Sequence, residues 1–320
     1  MKFALRFVFL IIILLVYNRV HSQQTPFDPG KATFKLKFKN VISPYRIMFT
    51  SIMPDEILEC EIVDSSSSEK YAAESTKGRL VISGVNKWTW EPPKRSGKYE
   101  IIFTNAATSD SILLNVFVLV PLNQIKSGKL NGFRIGEYPR VPLRNLSVYK
   151  APKGVIEVIE ENSQLKISPH FTLKNFLCKQ QCAFPKYLIL QERLLLKLEL
   201  ILEKVNEKGY RYNSIHIMSG YRTPHYNKMI GNVKYSRHVY GGAADIFLDE
   251  HPKDGMMDDL NKDGRINYLD ANVLYDIIEE MYGKPWYKPF IGGLGWYRKT
   301  SNHGPFVHID VRQIRARWGD

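Results

Sequence analysis

Three short segments of the 320-residue chain carry side chains that could gather a metal ion. They are Ser219-Gly220-Tyr221-Arg222-Thr223-Pro224, then Ser236-Arg237-His238-Val239-Tyr240-Gly241-Gly242-Ala243-Ala244-Asp245, then Phe306-Val307-His308-Ile309-Asp310-Val311-Arg312. A catalytic zinc takes three nitrogen or oxygen ligands and leaves one position open for water. A glycine pair and two alanines lie between His238 and Asp245, so a loop and the strand after it can turn both side chains toward one point. The third ligand has to come from elsewhere. Residues 306–311 alternate as a strand does, which puts His308 and Asp310 on one face. Arg222 would add a fixed cation, whose parallel N–H groups suit a carboxylate. Taken singly, each piece has an ordinary structural explanation: a hydrogen-bonded pair, a strand histidine, a solvated charge. Their order, spacing and flanking residues together point to a site.

Between the second and third segments lies a different pattern, Asp259-Leu260-Asn261-Lys262-Asp263-Gly264-Arg265-Ile266-Asn267-Tyr268-Leu269-Asp270. Oxygen-bearing side chains fall at loop positions 1, 3, 5, 9 and 12, from Asp259, Asn261, Asp263, Asn267 and Asp270. The backbone carbonyl of Arg265 would serve position 7, and Gly264 permits the sharp turn at position 6. This is the spacing of a Ca²⁺ loop of EF-hand type, with Asp270 where a longer Glu is usual, a variant that resembles the loops of dockerin modules. The alternative is an acidic surface turn. A calcium ion here would be structural, pinning an insertion over about residues 249–283.

The first three segments, written S-G-Y-R-T-P, S-x-H-x-x-G-x-A-x-D and F-V-H-x-D, resemble the zinc D-alanyl-D-alanine carboxypeptidase family. That family shares its fold with hedgehog signalling domains and phage endolysin peptidases. The resemblance covers about residues 168–312. It implies Zn²⁺ held by His238, Asp245 and His308, Arg222 on a substrate carboxylate or carbonyl, and Ser236 close by. It also implies hydrolysis of peptide bonds in peptidoglycan stem peptides, as a carboxypeptidase or an endopeptidase. Many members carry an acidic residue three positions before the last zinc histidine, or a histidine two before it; this chain has Pro305 and Phe306 there. Asp310, as an active-site group or one orienting a ligand, and His303, for proton transfer, are the substitutes. If neither serves, the domain is a non-catalytic, zinc-stabilised module that binds cell wall or a protein.

The elements that must position these residues are legible in part. A helix is expected over about 186–208, with Leu190, Leu194, Leu198 and Ile201 on its apolar face and Gly209 closing it. Strands are expected at 213–219, 245–248 and 306–311, and a second helix from 271 to about 282 with Leu274, Ile277 and Ile278 buried. Ahead of these, 33–38, 79–82, 99–103 and 111–120 alternate or run apolar between turn-rich spacers, as in an immunoglobulin-like β-sandwich. The expected fold is therefore multidomain: a signal peptide (1–22), an all-β sandwich (23–122), a connecting module (123–165) and an α+β zinc peptidase domain (166–320).

Lys2 and Arg6 precede an apolar run from 7 to 17, and Val20-His21-Ser22 offers small residues for a cut, so residues 1–22 read as a signal peptide. The chain is then exported, periplasmic or secreted, with no later stretch apolar enough to stay in a membrane. Its net charge of +13 either serves solubility alone or suits an anionic partner. Peptidoglycan fits an exported protein better than nucleic acid, for which no aromatic-basic signature is present. Cys60, Cys178 and Cys182 cannot pair completely; Cys178 and Cys182 are close enough for a small-loop disulfide or can remain core thiols.

Overall fold

The computed structural model describes residues 26–63 and 70–319; the expected signal peptide lies outside them. The described chain is mostly strand, with three α-helices. β1 (Lys31–Phe38), β2 (Val41–Tyr45), β3 (Ile47–Ile52), β4 (Leu58–Val63), β5 (Tyr71–Ser75), β6 (Arg79–Gly84), β7 (Lys87–Glu91), β8 (Gly97–Asn105) and β9 (Ser111–Val118) form two sheets. Their orders are β2-β1-β4-β7-β6 and β3-β9-β8-β5, with β3 and β9 parallel. Alternation in β1 buries Phe34, Leu36 and Phe38 and exposes Lys35 and Lys37. The sheets meet through aromatic rings: Trp88 lies edge-on to Phe103 at 5.4 Å, and Trp90 tilts against Tyr99 at 6.0 Å. Two sheets closed over a common core make a sandwich.

Five short strands follow: β10 (Val120–Pro121), β11 (Lys129–Leu130), β12 (Phe133–Arg134), β13 (Gly154–Val158) and β14 (Lys186–Leu188). β13 pairs with β10 on one side and β14 on the other, tying the end of the sandwich to the C-terminal part. Here the expected helix starts late. Tyr187 and Leu188 are buried and pair with Glu157 and Ile156, so their backbone groups are satisfied as strand. The helix α1 runs Glu192–Glu207, with Leu194, Leu198 and Ile201 buried, and Gly209 follows it at a φ of 86°.

α1 is shared by both halves. Toward the sandwich, Glu203 accepts from Tyr45 Oη at 2.6 Å and Lys31 Nζ at 2.5 Å, and Glu192 from Thr50 Oγ1 at 2.7 Å and Lys39 Nζ at 2.9 Å. Its other side backs the last sheet, ordered β15 (His216–Ser219), β16 (Ala243–Phe247), β18 (Phe306–Asp310), β17 (Gly293–Tyr297) and β19 (Ala316–Gly319). A two-turn helix α2 (Pro224–Met229) follows β15. α3 (Tyr268–Glu279) packs on β17 and β18. It begins three residues earlier than the sequence suggests, because Asn267 caps it by accepting from Leu269 N at 2.9 Å. One hydrophobic core runs from Phe34 through α1 to Ile309.

Alternation along β16 and β18 puts Ala244, Ile246, Val307 and Ile309 on the helix side, and Asp245 and His308 on the opposite face. All three cysteines are unbridged. Among the described residues no helix is long and apolar enough to cross a membrane.

Candidate metal centre

Asp245 and His308 are direct partners across the β16–β18 ladder, so their side chains rise together from one face. His238 reaches the same point from a 3₁₀ turn, Arg237–Tyr240, that ends at Gly241. Gly241 has a φ of 63°, and a Cβ there would lie 2.3 Å from the Ile189 carbonyl oxygen, so only glycine allows the turn to close beside the sheet. Asp245 Oδ1 lies 2.8 Å from His308 Nδ1 and 3.2 Å from His238 Nε2, and the two imidazole nitrogens are 3.3 Å apart. All three residues are buried. Tetrahedral zinc with bonds of about 2.0–2.1 Å spaces its ligand atoms by roughly 3.3 Å, so this donor set fits such an ion closely. Among the described residues it is the one group of histidine, cysteine and acidic side chains gathered tightly enough to hold a metal.

The atoms behind the ligands fix their orientation. His238 Nδ1 donates to the Gly220 carbonyl at 2.7 Å, leaving the Nε2 lone pair for the centre. His308 Nε2 lies 3.4 Å from Asp310 Oδ2. Asp310 is fully buried and accepts from Arg312 Nε at 2.8 Å, Arg312 Nη2 at 2.5 Å and Gly293 N at 2.9 Å. Burial opposes its charge, but the hydrogen bonds from His308 and Arg312 outweigh that and hold its carboxyl far below the usual range. A carboxylate held so firmly is a poor proton acceptor; its place behind His308 suits orientation. Burial lowers the pKa of His238; at His308 the Asp245 and Asp310 hydrogen bonds outweigh burial and raise it. Asp245 is held well below the carboxylate range by the two imidazoles, again against burial.

Arg222 leaves β15 and gives Nη2 to Asp245 Oδ2 at 2.5 Å and Nε to Ser219 Oγ at 2.8 Å. It therefore steadies the carboxylate of Asp245. Ser236 is buried just before the 3₁₀ turn, donating its N–H to the Val233 carbonyl and accepting from Val239 N at its own carbonyl, and these bonds do not reach the three ligands. His303 is half-buried in the loop before β18, with Nδ1 2.8 Å from the Gly304 carbonyl and its ring edge-on to Phe306 at 4.9 Å. Neither contact reaches the ligands.

Sequence reasoning missed Trp318. β19 lies parallel to β17, and Trp318 covers Gly293 and Gly295, with its ring 5.3 Å from that of His308. The spacing of two between those glycines was the available signal: both face one side, leaving a lane for a large ring. Arg237 belongs to the second motif, where its type and spacing alone suggest no task. It is buried, with its guanidinium 4.9 Å and 5.3 Å from the rings of Tyr149 and Tyr240, so the connecting residues wall one side of the turn that carries His238.

The 259–270 loop is held by its own hydrogen bonds. Asp259 accepts from Asp263 N and Gly264 N, at 3.2 and 2.8 Å, and Asn261 from Asp263 N at 3.0 Å. Arg265 enters as an N–H donor to Asp263 at 2.8 Å, and Asn267 caps α3. Asp270, fully buried, accepts from Leu260 N at 2.8 Å, Asn261 N at 3.2 Å and Asn267 N at 2.8 Å. Its oxygens are thus turned to backbone donors, and the loop carboxylates do not gather as a metal-holding group. The calcium expectation finds no support in this geometry.

Fold and centre together outline a domain on a mixed, mainly antiparallel sheet, with two imidazoles and one carboxylate gathered where they could hold a metal ion. Residues 169–268 match the family model described as Peptidase M15, and this C-terminal part is a domain of that zinc peptidase family, of D-Ala-D-Ala carboxypeptidase type. The match spans Arg222, His238 and Asp245 but stops short of His308, which the ladder register supplies. No curated protein matches the chain. A solved structure from Saccharophagus degradans, described as a nucleoside hydrolase-related hypothetical protein associated with carbohydrate metabolism, is 11% identical over 28% of this chain and 25% of its own length, with a TM-score of 0.20. The chain thus spans a quarter of that protein, and the likeness is too slight to bear on fold or function.

Proposed function

We propose that the chain is an exported zinc peptidase that hydrolyses peptide bonds in peptidoglycan stem peptides, at a D-Ala-D-Ala terminus or an internal crosslink. The observation that carries this reading is the meeting of His238 Nε2, Asp245 Oδ1 and His308 Nδ1 within a span that suits one ion. The chemistry a zinc ion supplies there is acidification of water to a pKa of ~7 and polarisation of a carbonyl. The protein's own groups do the rest. His238, Asp245 and His308 would hold the ion, Gly220 and Asp310 aim the imidazoles, and Arg222 steadies Asp245 and would offer its remaining N–H groups to a substrate carboxylate or carbonyl. His303 is the remaining candidate for moving a proton to the leaving amine.

The basic charge and the expected signal peptide support a wall substrate. For the 259–270 loop, a calcium role rests on ligand spacing alone. Digestion of purified cell-wall fragments tests the main reading: stem peptides shortened or uncrosslinked without chelator, untouched with it, and cut again once zinc is restored. If no stem peptide yields a chelator-sensitive product, the peptidase reading falls.

One observation favours a second reading, a zinc-stabilised binding module. Pro305 and Phe306 occupy the positions where a base would be expected, and Asp310 is locked by Arg312. That module would carry its zinc and bind wall fragments with no turnover. Cleavage that persists unchanged in His303→Asn would remove His303 from proton transfer.

A further inference from the structure

We propose that the cavity next to the metal centre is a subsite that reads one substrate side chain: an aliphatic arm ending in a carboxylate. This rests on the peptidase reading above and adds the substrate feature that the site selects. Strand alternation sets the position. Two residues beyond Asp245 on β16 is Phe247, and two before His308 on β18 is Phe306, so both lie on the metal-bearing face, about 7 Å along the strands. Phe247 is part of the wall of a cavity of about 600 Å³, together with Met218 of β15 and the His303-Gly304-Pro305 approach to β18. The far wall comes from the insertion, through Met257 and Ile266. The insertion thus turns an open sheet face into a walled subsite one step from the scissile position.

The lining has an asymmetric chemistry. Thioether and hydrocarbon groups of Met218, Phe247, Met257 and Ile266 share its lining with two imidazoles and the Asn302 amide, and its charged side chains are all basic; no aspartate or glutamate lines it. Lys179 and Lys299 are exposed in the lining, with no ion-pair partner among the described residues. The acid nearest to the lining His216, Asp249, lies 3.6 Å from its ring but is buried and accepts the N–H groups of Asp254 and Gly255. A methylene arm fits the floor, and a terminal carboxylate meets two unpaired ammonium groups. An arm ending only in an ammonium meets like charge, which rejects a wrong ligand as effectively as attraction selects the right one.

Stem peptides offer that contrast at their diamino residue. It is meso-diaminopimelate, with a carboxylate beside its side-chain amine, or L-lysine, with none. The zinc-loaded full chain is to be assayed on three otherwise identical peptides carrying meso-diaminopimelate, its side-chain amide, or L-lysine. The expected kcat/KM favours the free carboxylate over the other two by ~10-fold. The double variant Lys179→Met/Lys299→Met, checked for unchanged melting and zinc content, should bring the three within about twofold of one another. Equal kcat/KM for the three in the parent protein, or a preference that survives in the variant, overturns the subsite. If the parent protein cuts none of them, calorimetric titration with the same peptides separates the two ideas. Carboxylate-selective binding that the variant loses keeps the subsite and removes the peptidase; equal binding, or none, overturns the subsite itself.

Discussion

Each ligand of the centre is held by a neighbour that contributes nothing to the ion directly. His238 hangs from the Gly220 carbonyl, His308 backs onto Asp310, and Asp245 is tied through its second oxygen to Arg222. Replacing His238 or His308 by alanine should therefore reduce bound zinc from one per chain to near none, as metal analysis of the purified protein will show. The backing groups should matter by a smaller, measurable factor. Asp310→Asn should weaken zinc affinity by ~10–100-fold in competition with a chelating dye. Unchanged affinity would leave Asp310 as a fold residue only. The ligands themselves were readable because His238 and Asp245 sit in one short motif and His308 in another. Trp318 and the Asp310–Arg312 pairing were not, since their meaning depends on which strand lies beside which.

Lys197 shows how an element behind the site is fastened to it. It is buried on α1 and donates to the carbonyls of Asp310 and Phe290, at 2.9 and 3.2 Å, so the helix grips the strand that carries His308. Burial lowers its pKa from 10.5 to about 7, against the opposing pull of Asp310. Between those two values the unfolded chain binds a proton that the folded one does not, so this group makes stability rise with pH from about 7 to about 10.5. Below about 7 the cost of burying the charge is fully present. Lys197→Met should flatten that slope, which is worth roughly 5 kcal/mol at most, in denaturant titrations repeated across the range. A slope identical in both proteins would mean the ammonium is hydrated. The early part of this helix was misread for a related reason: residues 186–190 have a helix-like apolar spacing, but Tyr187 and Leu188 find strand partners in β13, which no local pattern reveals.

At the scale of the whole molecule, the sandwich and the C-terminal domain share one core, with α1 between them. Four of the nine described sandwich strands, β1, β6, β8 and β9, were legible because alternation is a local property; the attachment to α1 was not, because Glu192 and Glu203 look like ordinary surface acids of an amphipathic helix. Glu203→Ala would leave the buried Tyr45 without its acceptor, at a cost of ~1–3 kcal/mol. Denaturation should then show a lower midpoint at constant m-value, still as one transition; two separated transitions would mean the halves unfold independently. The placement of β19 has a practical consequence for all these measurements. Because the indole of Trp318 leans on a ligand imidazole, the end of β19 lies beside the metal centre. A histidine-rich purification handle fused there would offer foreign imidazoles to the same ion, so metal counts and turnover are best taken with the handle at the opposite terminus or cut away.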